Sequence, residues 1–302
     1  MDELRPDNLA VLGIPFEGKD EGFPGYRYAP LGIRETSVYY GWFSNPQFKS
    51  APIDVVSRKV VDTGCINEKL VDIGDISISG LSLSAAEEKI TSLCAELEKT
   101  RAASIVLSGH ADSVYSVCRG LAGGKRLGYV QLGGELPVQT AAGEDSSVRR
   151  LWKEGLLREQ DSLFIAPLAN PTAEFAAEFL QSGGTLVSLR AAHGMGGNYR
   201  PLFGELKSRT DAVVAVLDLS AFDSSLHGAI RVPRFNGLSL IEVQNLLIAL
   251  GQLPAASIVI TGLNPTVNGL GIVKTAQRML VTAILKYIYA RVGLLGPEEV
   301  VI

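Results

Sequence analysis

The sequence predicts an α/β protein: a single-domain, doubly wound parallel sheet with helices on both faces. Three observations predict it. Short apolar runs alternate with amphipathic stretches along the whole chain. The apolar runs, such as 212–217 and 257–260, have the length of strands. No linker or low-complexity segment separates them. Strands alternating with helices imply a parallel sheet covered on both sides.

Taken in order, residues 8–14 read as a first strand ending at Pro15. An aromatic, Gly/Pro-rich loop leads to helical turns over 29–40, and 60–76 carries a strand-like segment. Residues 84–101 begin with Ser84 at a capping position and set Ile90, Leu93, Cys94 and Leu97 at helical spacing. Residues 103–107 form a buried strand, and 128–132 another after an intervening helix. A short helix over 149–157, a strand over 162–166 and a helix over 171–180 follow. Strands over 185–189 and 212–219 come next, then helix, strand and helix over 238–250, 257–260 and 275–290.

Composition narrows the class. The 302 residues are 46% hydrophobic and 20% charged with a net charge of −4, which excludes disorder. The 32 Gly have no three-residue period and there are three Cys, so neither collagen nor a disulfide scaffold fits. Mean hydropathy is +0.20, yet no apolar run approaches the ~18 residues of a membrane span. An isoelectric point near 5.5 and scattered Arg and Lys offer no field for nucleic acid or an anionic membrane. The acidic opening Met1-Asp2-Glu3-Leu4 does not read as a signal peptide. Cys65, Cys94 and Cys118 lack CxxC spacing and read as reduced, mostly buried thiols of a cytoplasmic protein.

In a doubly wound sheet, function sits in loops beyond the carboxyl ends of the strands. Four such loops carry chemistry: Ser108-Gly109-His110-Ala111-Asp112-Ser113, Gly133-Gly134-Glu135-Leu136-Pro137, Asp218-Leu219-Ser220-Ala221-Phe222-Asp223 and Thr261-Gly262-Leu263-Asn264-Pro265. With Gly13-Ile14-Pro15-Phe16 and the stretch from Pro24 to Arg34, this ordered set resembles the ureohydrolase family of arginase, agmatinase and formimidoylglutamase. Supporting pieces are Arg149-Arg150-Leu151-Trp152 after the central loop and Asn236-Gly237-Leu238-Ser239 with Glu242, similar to the family's Gly-Gly-Leu helix start. The resemblance runs over nearly the whole chain and implies one arginase-like domain over residues 1–302.

That family hydrolyses guanidino or amidino groups with two Mn²⁺ ions sharing a hydroxide. Its ligand motifs are Gly-Gly-Asp-His-Ser, Asp-Ala-His-x-Asp and Asp-x-Asp-x-x-Asp-Pro. Here the first corresponds to 108–113, with its His replaced by Ala111 or Asp112. The ligands of the second fall on Gly133, Glu135 and Pro137. In the third, Asp218 and Asp223 are kept, Ser220 replaces the middle Asp, and Ser224 replaces Pro. The family's His after the central loop falls near Glu144, and its Glu before Asn-Pro falls on Gly262.

Two close divalent ions need several carboxylates, at least one of them bridging. Gly133 and Pro137 offer no side-chain donor and Ser220 a poor neutral one. Asp112, Glu135 and Asp218 would at best hold one hard ion weakly, with water completing its shell. The expectation is therefore no cofactor, no dinuclear manganese, and no family hydrolysis.

Candidate ligand-binding residues are Asp112, Glu135, Glu144, Asp218, Ser220 and Asp223; candidate catalytic residues are His110, Glu135 and Asp218. Each has a plainer reading. His110 braces a loop; Asp218 caps a neighbouring loop; Glu135 and Glu144 are solvated charges. His193 and His227 read as structural. A P-loop, a GxSxG elbow, a zinc spacing and a Cys118 nucleophile all fail on their surroundings. Rings at 23–28 and 39–43 line a pocket mouth or subunit contact, or pack on the sheet edge.

The favoured reading is a non-hydrolytic pseudoenzyme that binds a small guanidino or amino-acid-like ligand. The alternative is an enzyme with remodelled metal-free or single-metal chemistry on a guanidino or amidino substrate. A third is a structural subunit that completes an oligomer with an active relative. By resemblance the chain is a homo-oligomer, a trimer or hexamer.

Overall fold

A computed structural model describes residues 4–18, 24–40, 53–54, 59–60, 63–137, 145–167, 172–196, 198–227, 229, 235–253, 256–267 and 270–295. Its elements are β1 (Leu9–Ile14), α1 (Ala29–Ser37), β2 (Ile53–Asp54), β3 (Lys59–Val60), α2 (Thr63–Lys69), β4 (Leu70–Asp75) and α3 (Leu83–Lys99). They continue with β5 (Ala103–Ser108), α4 (Ser113–Ala122), β6 (Leu127–Leu132), α5 (Ser147–Lys153), β7 (Leu157–Ile165), α6 (Ala173–Gln181) and β8 (Thr185–Val187). Last come α7 (Leu189–Gly194), α8 (Arg200–Arg209), β9 (Ala212–Asp218), α9 (Leu240–Gly251), β10 (Ala256–Thr261) and α10 (Leu270–Arg291).

Eight strands form one sheet in the order β4-β1-β5-β10-β9-β6-β7-β8, every pairing parallel; β2 and β3 form a separate antiparallel pair. The predicted α/β sheet is what forms. Alternate residues of one strand feed opposite cores, because successive side chains point to opposite faces. On β9, Val213, Ala215 and Leu217 join Ile33 of α1, Phe203 of α8, Leu246 of α9 and Ile284 of α10. Val214 and Val216 join Ile90 of α3, Val117 of α4, Leu151 of α5 and Phe179 of α6 on the other side. Both faces are dry, so the strands read as continuous apolar runs. No helix among the described residues is long and apolar enough to cross a membrane.

Several boundaries differ from the sequence reading. The strand within 60–76 is β4, Leu70–Asp75, and the residues before it, Thr63–Lys69, form α2, where Ile66 is buried while 67 and 68 face solvent. Ser82, not Ser84, caps α3, its hydroxyl accepting from the Ala85 N–H (3.3 Å). The helix expected to reach 157 ends at Lys153, where Gly155 takes a φ of 70° that favours glycine. Leu157 then opens β7, whose first half was hidden by Arg158-Glu159-Gln160-Asp161. Leu189 begins α7 behind the Ser188 cap rather than ending a strand. The helix α8 was not anticipated, since within it only Phe203 and Leu206 are buried and the apolar stripe is thin.

None of the three cysteines is in a disulfide; Cys94 and Cys118 are buried and Cys65 is half-buried. Burial pushes the Cys94 thiol up to about 12 and raises Cys118 further, so neither has nucleophilic character.

Candidate functional site

The carboxyl ends of β5, β10, β9 and β6 lie side by side in the middle of the sheet, so their four loops meet. The Gly262 N–H donates to the Gly109 carbonyl (2.8 Å), joining the loops after β10 and β5. A Cβ at Gly262 would stand 2.8 and 2.9 Å from the two carboxylate oxygens of Asp218, at the end of β9. The Gly134 N–H donates to Ser220 Oγ (2.8 Å), tying the loop after β6 to the loop after β9.

Asp218 is the centre of this line. Its Oδ1 accepts from the Ser220 N–H (3.0 Å) and from Ser220 Oγ (2.7 Å). Its Oδ2 accepts from Thr261 Oγ1 (2.7 Å). Both oxygens are thus occupied by the protein's own donors. Beside it, the Tyr129 hydroxyl donates to Gln131 Oε1 (2.7 Å), and Gln131 Nε2 donates to the carbonyls of Gly133 (3.1 Å) and Glu135 (2.7 Å). Burial, with Cys118 and Asp218 adding to it, raises the Tyr129 phenol well above its usual range, so it stays a neutral donor. Gly133 has φ +69°, and a Cβ there would fall on the Ala221 backbone nitrogen and 2.6 Å from its Cα.

The model of the Arginase family matches residues 7–286. The chain belongs to the arginase family.

Solved structures agree on the fold. Formimidoylglutamase from Bacillus subtilis aligns with a TM-score of 0.78 at 17% identity, covering 96% of this chain and 88% of that one. Proclavaminate amidino hydrolase from Streptomyces clavuligerus gives 0.74 at 22% identity, covering 96% of each chain. Agmatine ureohydrolase of Thermoplasma volcanium gives 0.72 at 17%, covering 95% and 90%. No curated protein sequence matches.

Within this arginase-family fold the remaining candidates fall as follows. Ser220 is buried and belongs to the Asp218 network. Glu135 shares that network through its carbonyl alone, and its side chain is exposed. Asp223 turns the other way: Oδ1 accepts from the N–H and hydroxyl of Ser225, and Oδ2 from the Gly237 N–H (2.9 Å). The Ser225 hydroxyl and N–H, with the 236–237 backbone, hold its carboxyl below the usual range. Glu144 lies outside the described residues.

His110 and Asp112 pair with each other in the loop after β5. Nδ1 of His110 accepts from the Asp112 N–H (3.2 Å), leaving the neutral ring's proton on Nε2, and stands 3.4 Å from Asp112 Oδ2. Tyr26 meets the ring edge-on at 5.0 Å, and a Cβ at Gly18 would overlap the ring. The segment around Tyr26 lies across the site. Its carbonyl covers Gly109, while the Glu17 carboxylate accepts from the N–H groups of Gly25, Tyr26 (3.1 Å) and Arg27 (3.4 Å). On the far side Thr266 Oγ1 donates to the Pro24 carbonyl (2.8 Å). Of the two aromatic runs, Tyr26 therefore reaches the site, whereas Tyr28 and Tyr39 are exposed. Phe23 and residues 41–43 lie outside the described residues.

Sequence reasoning missed Gln131, Thr261, Tyr129 and Glu17. The signal for the first two was a polar residue within a buried apolar strand, which must find a partner there.

The other two histidines are tied elsewhere. His193 Nδ1 lies 2.6 Å from Glu242 Oε1, and Glu242 Oε2 accepts from the N–H and hydroxyl of Ser239, closing the capping box of α9. Although burial pulls Glu242 upward, the His193 and Ser239 hydrogen bonds hold it below the usual range. His227 is buried against Phe222, and among the described residues neither ring nitrogen has a hydrogen-bond partner. Burial lowers its pKa against the opposing pull of the Leu219 backbone and Asp223. An unfolded histidine titrates near ~6.5, so below that pH the unfolded chain takes a proton that the folded chain refuses. Stability is therefore expected to fall as pH drops below ~6.5, until the folded-state pKa is passed. Urea unfolding of His227→Leu against the parent across this range should show a shallower acid slope in the variant; equal slopes would refute it.

Proposed function

We propose that this arginase-family protein is a non-hydrolytic pseudoenzyme without a dinuclear manganese site, which binds a small guanidino or amino-acid-like ligand at the carboxyl end of its sheet. One observation carries the reading: Asp218, a carboxylate kept from the family's motif, has both oxygens occupied by Ser220 and Thr261. Three of the carboxylate's roughly four lone-pair sites are thus taken by the protein's own donors, which leaves little of it for bridging two metal ions. The residues around it do not fit a pair of hard ions either. Gly133 and Gly262 stand at positions where a Cβ already meets Ala221 or Asp218. Pro137 offers no side-chain donor atom, and Ser220 Oγ already donates to Asp218 and accepts from Gly134. No step through metal-bound water follows from this donor set.

Binding is a separate matter from hydrolysis. Glu135 and Asp112, on loops flanking Asp218, keep carboxylates that are exposed and partly exposed, and a cationic guanidino or ammonium group answers that charge. On this reading residues 1–302 work as one arginase-like domain, in a homo-oligomer in the cytoplasm, with neither nucleic acid nor membrane as partner.

The test uses protein expressed with added Mn²⁺. Metal analysis is expected to find far less than one ion per chain, and arginine, agmatine and guanidinobutyrate to release no urea at high protein concentration. Two ions per chain, or enzymatic urea release, would overturn the pseudoenzyme reading. A thermal-shift screen of guanidines and amino acids is expected to give at least one stabilising ligand, worth about 2.7 kcal/mol at a hundredfold excess over Kd. No stabilisation by any of them removes the binding claim and leaves the metal claim standing.

A further inference from the structure

A cavity of about 220 Å³ lies in the groove between α5 and α6, beside the start of β7, and none of the sheet-end loops lines it. Its floor is aromatic. Trp152 stacks on Phe179 at 5.7 Å and 20°, and Phe179 stacks on Phe175 at 5.9 Å and 4°. The indole N–H of Trp152 is already given to Ser162 Oγ (3.1 Å), so the ring offers the cavity apolar surface.

Charge is divided across this floor. On the α5 side stand Arg149 and Lys153, and one carboxylate, Asp145, serves both, at 3.1 and 2.6 Å. Two cations sharing one anion leave a positive surplus there. On the β7 and α6 side stand Glu159 and Glu178, neither of which meets a cation among the described residues. A groove with a positive end, a negative end and an apolar floor matches a molecule of the complementary pattern.

We infer that this cavity binds a small zwitterion whose carboxylate and ammonium are separated by a short hydrocarbon chain. The carboxylate faces Arg149 and Lys153, the ammonium faces Glu159 and Glu178, and the chain lies on Trp152 and Phe179. The site shares no residue with the sheet end, so it stands or falls independently of the pseudoenzyme reading.

The chain has two Trp, so Trp42→Phe leaves Trp152 as the sole indole reporter. Its emission is titrated with 6-aminohexanoate, and with hexanoate and pentylamine as probes carrying one charge each. A saturable change is expected with 6-aminohexanoate, and about threefold weaker binding for each charge pair lost at this partly exposed site. In the background of Glu159→Gln with Glu178→Gln, 6-aminohexanoate should weaken to the level of hexanoate, while hexanoate itself is unchanged. Both glutamates sit at the groove surface, and unchanged far-ultraviolet circular dichroism checks that the fold is intact. No saturable change through the millimolar range, equal binding of all three probes, or full binding by the double variant would overturn the inference.

Discussion

Gly133→Asp, which places a carboxylate where the proposed correspondence with the family's motif would have one, is expected to cost roughly 2–5 kcal/mol of stability and to recruit no manganese. Two effects add. With φ at +69° the backbone is left-handed, a conformation costing about 1–2 kcal/mol per non-glycine residue. The new Cβ also meets the Ala221 backbone, which no side-chain rotation relieves; overpacking of this kind costs about 1–3 kcal/mol. Urea unfolding of parent and variant measures the loss, and metal analysis of the same samples measures the gain. An unchanged midpoint with a bound ion would mean that the loop after β6 relaxes readily into a ligand-bearing form. The pseudoenzyme reading would then have lost its steric support.

Removing the other half of the arrangement should be nearly as costly. Asp218→Ala leaves the Ser220 N–H, the Ser220 hydroxyl and the Thr261 hydroxyl without their acceptor in a partly buried place. Each stranded donor costs about 1–3 kcal/mol, less where a hydroxyl rotates to a new partner, so the expected loss is roughly 2–4 kcal/mol. Asp218→Asn separates charge from hydrogen bonding. Its oxygen still accepts from Ser220, and its amide donates to Thr261 once that hydroxyl turns, so about 1 kcal/mol is expected. Equal losses for the two variants would show that the negative charge itself, rather than the hydrogen-bond network, is what the site needs. That result would favour a bound cation.

These two predictions rest on different halves of one idea. The middle of this sheet ends in four neighbouring loops, and those loops satisfy each other. Thr261 and Ser220 supply hydroxyls to a carboxylate, and Gln131 supplies an amide to two carbonyls. A buried polar group must be paired, and the pairing is internal. Glu17 and Thr266 fasten the segment around Tyr26, the one through backbone N–H groups and the other through the Pro24 carbonyl.

Much of the fold was legible in the residues. Apolar runs such as 212–217 are strands because both faces of the sheet are dry, and a dry strand has no polar alternation to hide it. Gly183-Gly184 stops α6, with the Gly183 N–H on the Leu180 carbonyl and the Gly184 N–H on the Phe179 carbonyl. What misled was local: charges at the start of β7 masked a strand, and the thin stripe of α8 concealed a helix.

By itself the sequence determined the alternation of strands and helices, the order of the four loops and membership of the arginase family. Those follow from residue identity and periodicity, which short-range geometry reads directly. Only the tertiary structure decided that Asp218 spends both oxygens on Ser220 and Thr261, that Asp223 faces Gly237 instead, and that Gly133 has no room for a side chain. Residues 43 positions apart, such as Asp218 and Thr261, meet because β9 and β10 pair in parallel, and that register places Thr261 opposite Asp218. Spacing along the chain carries no record of such a meeting, because strand pairing brings it about.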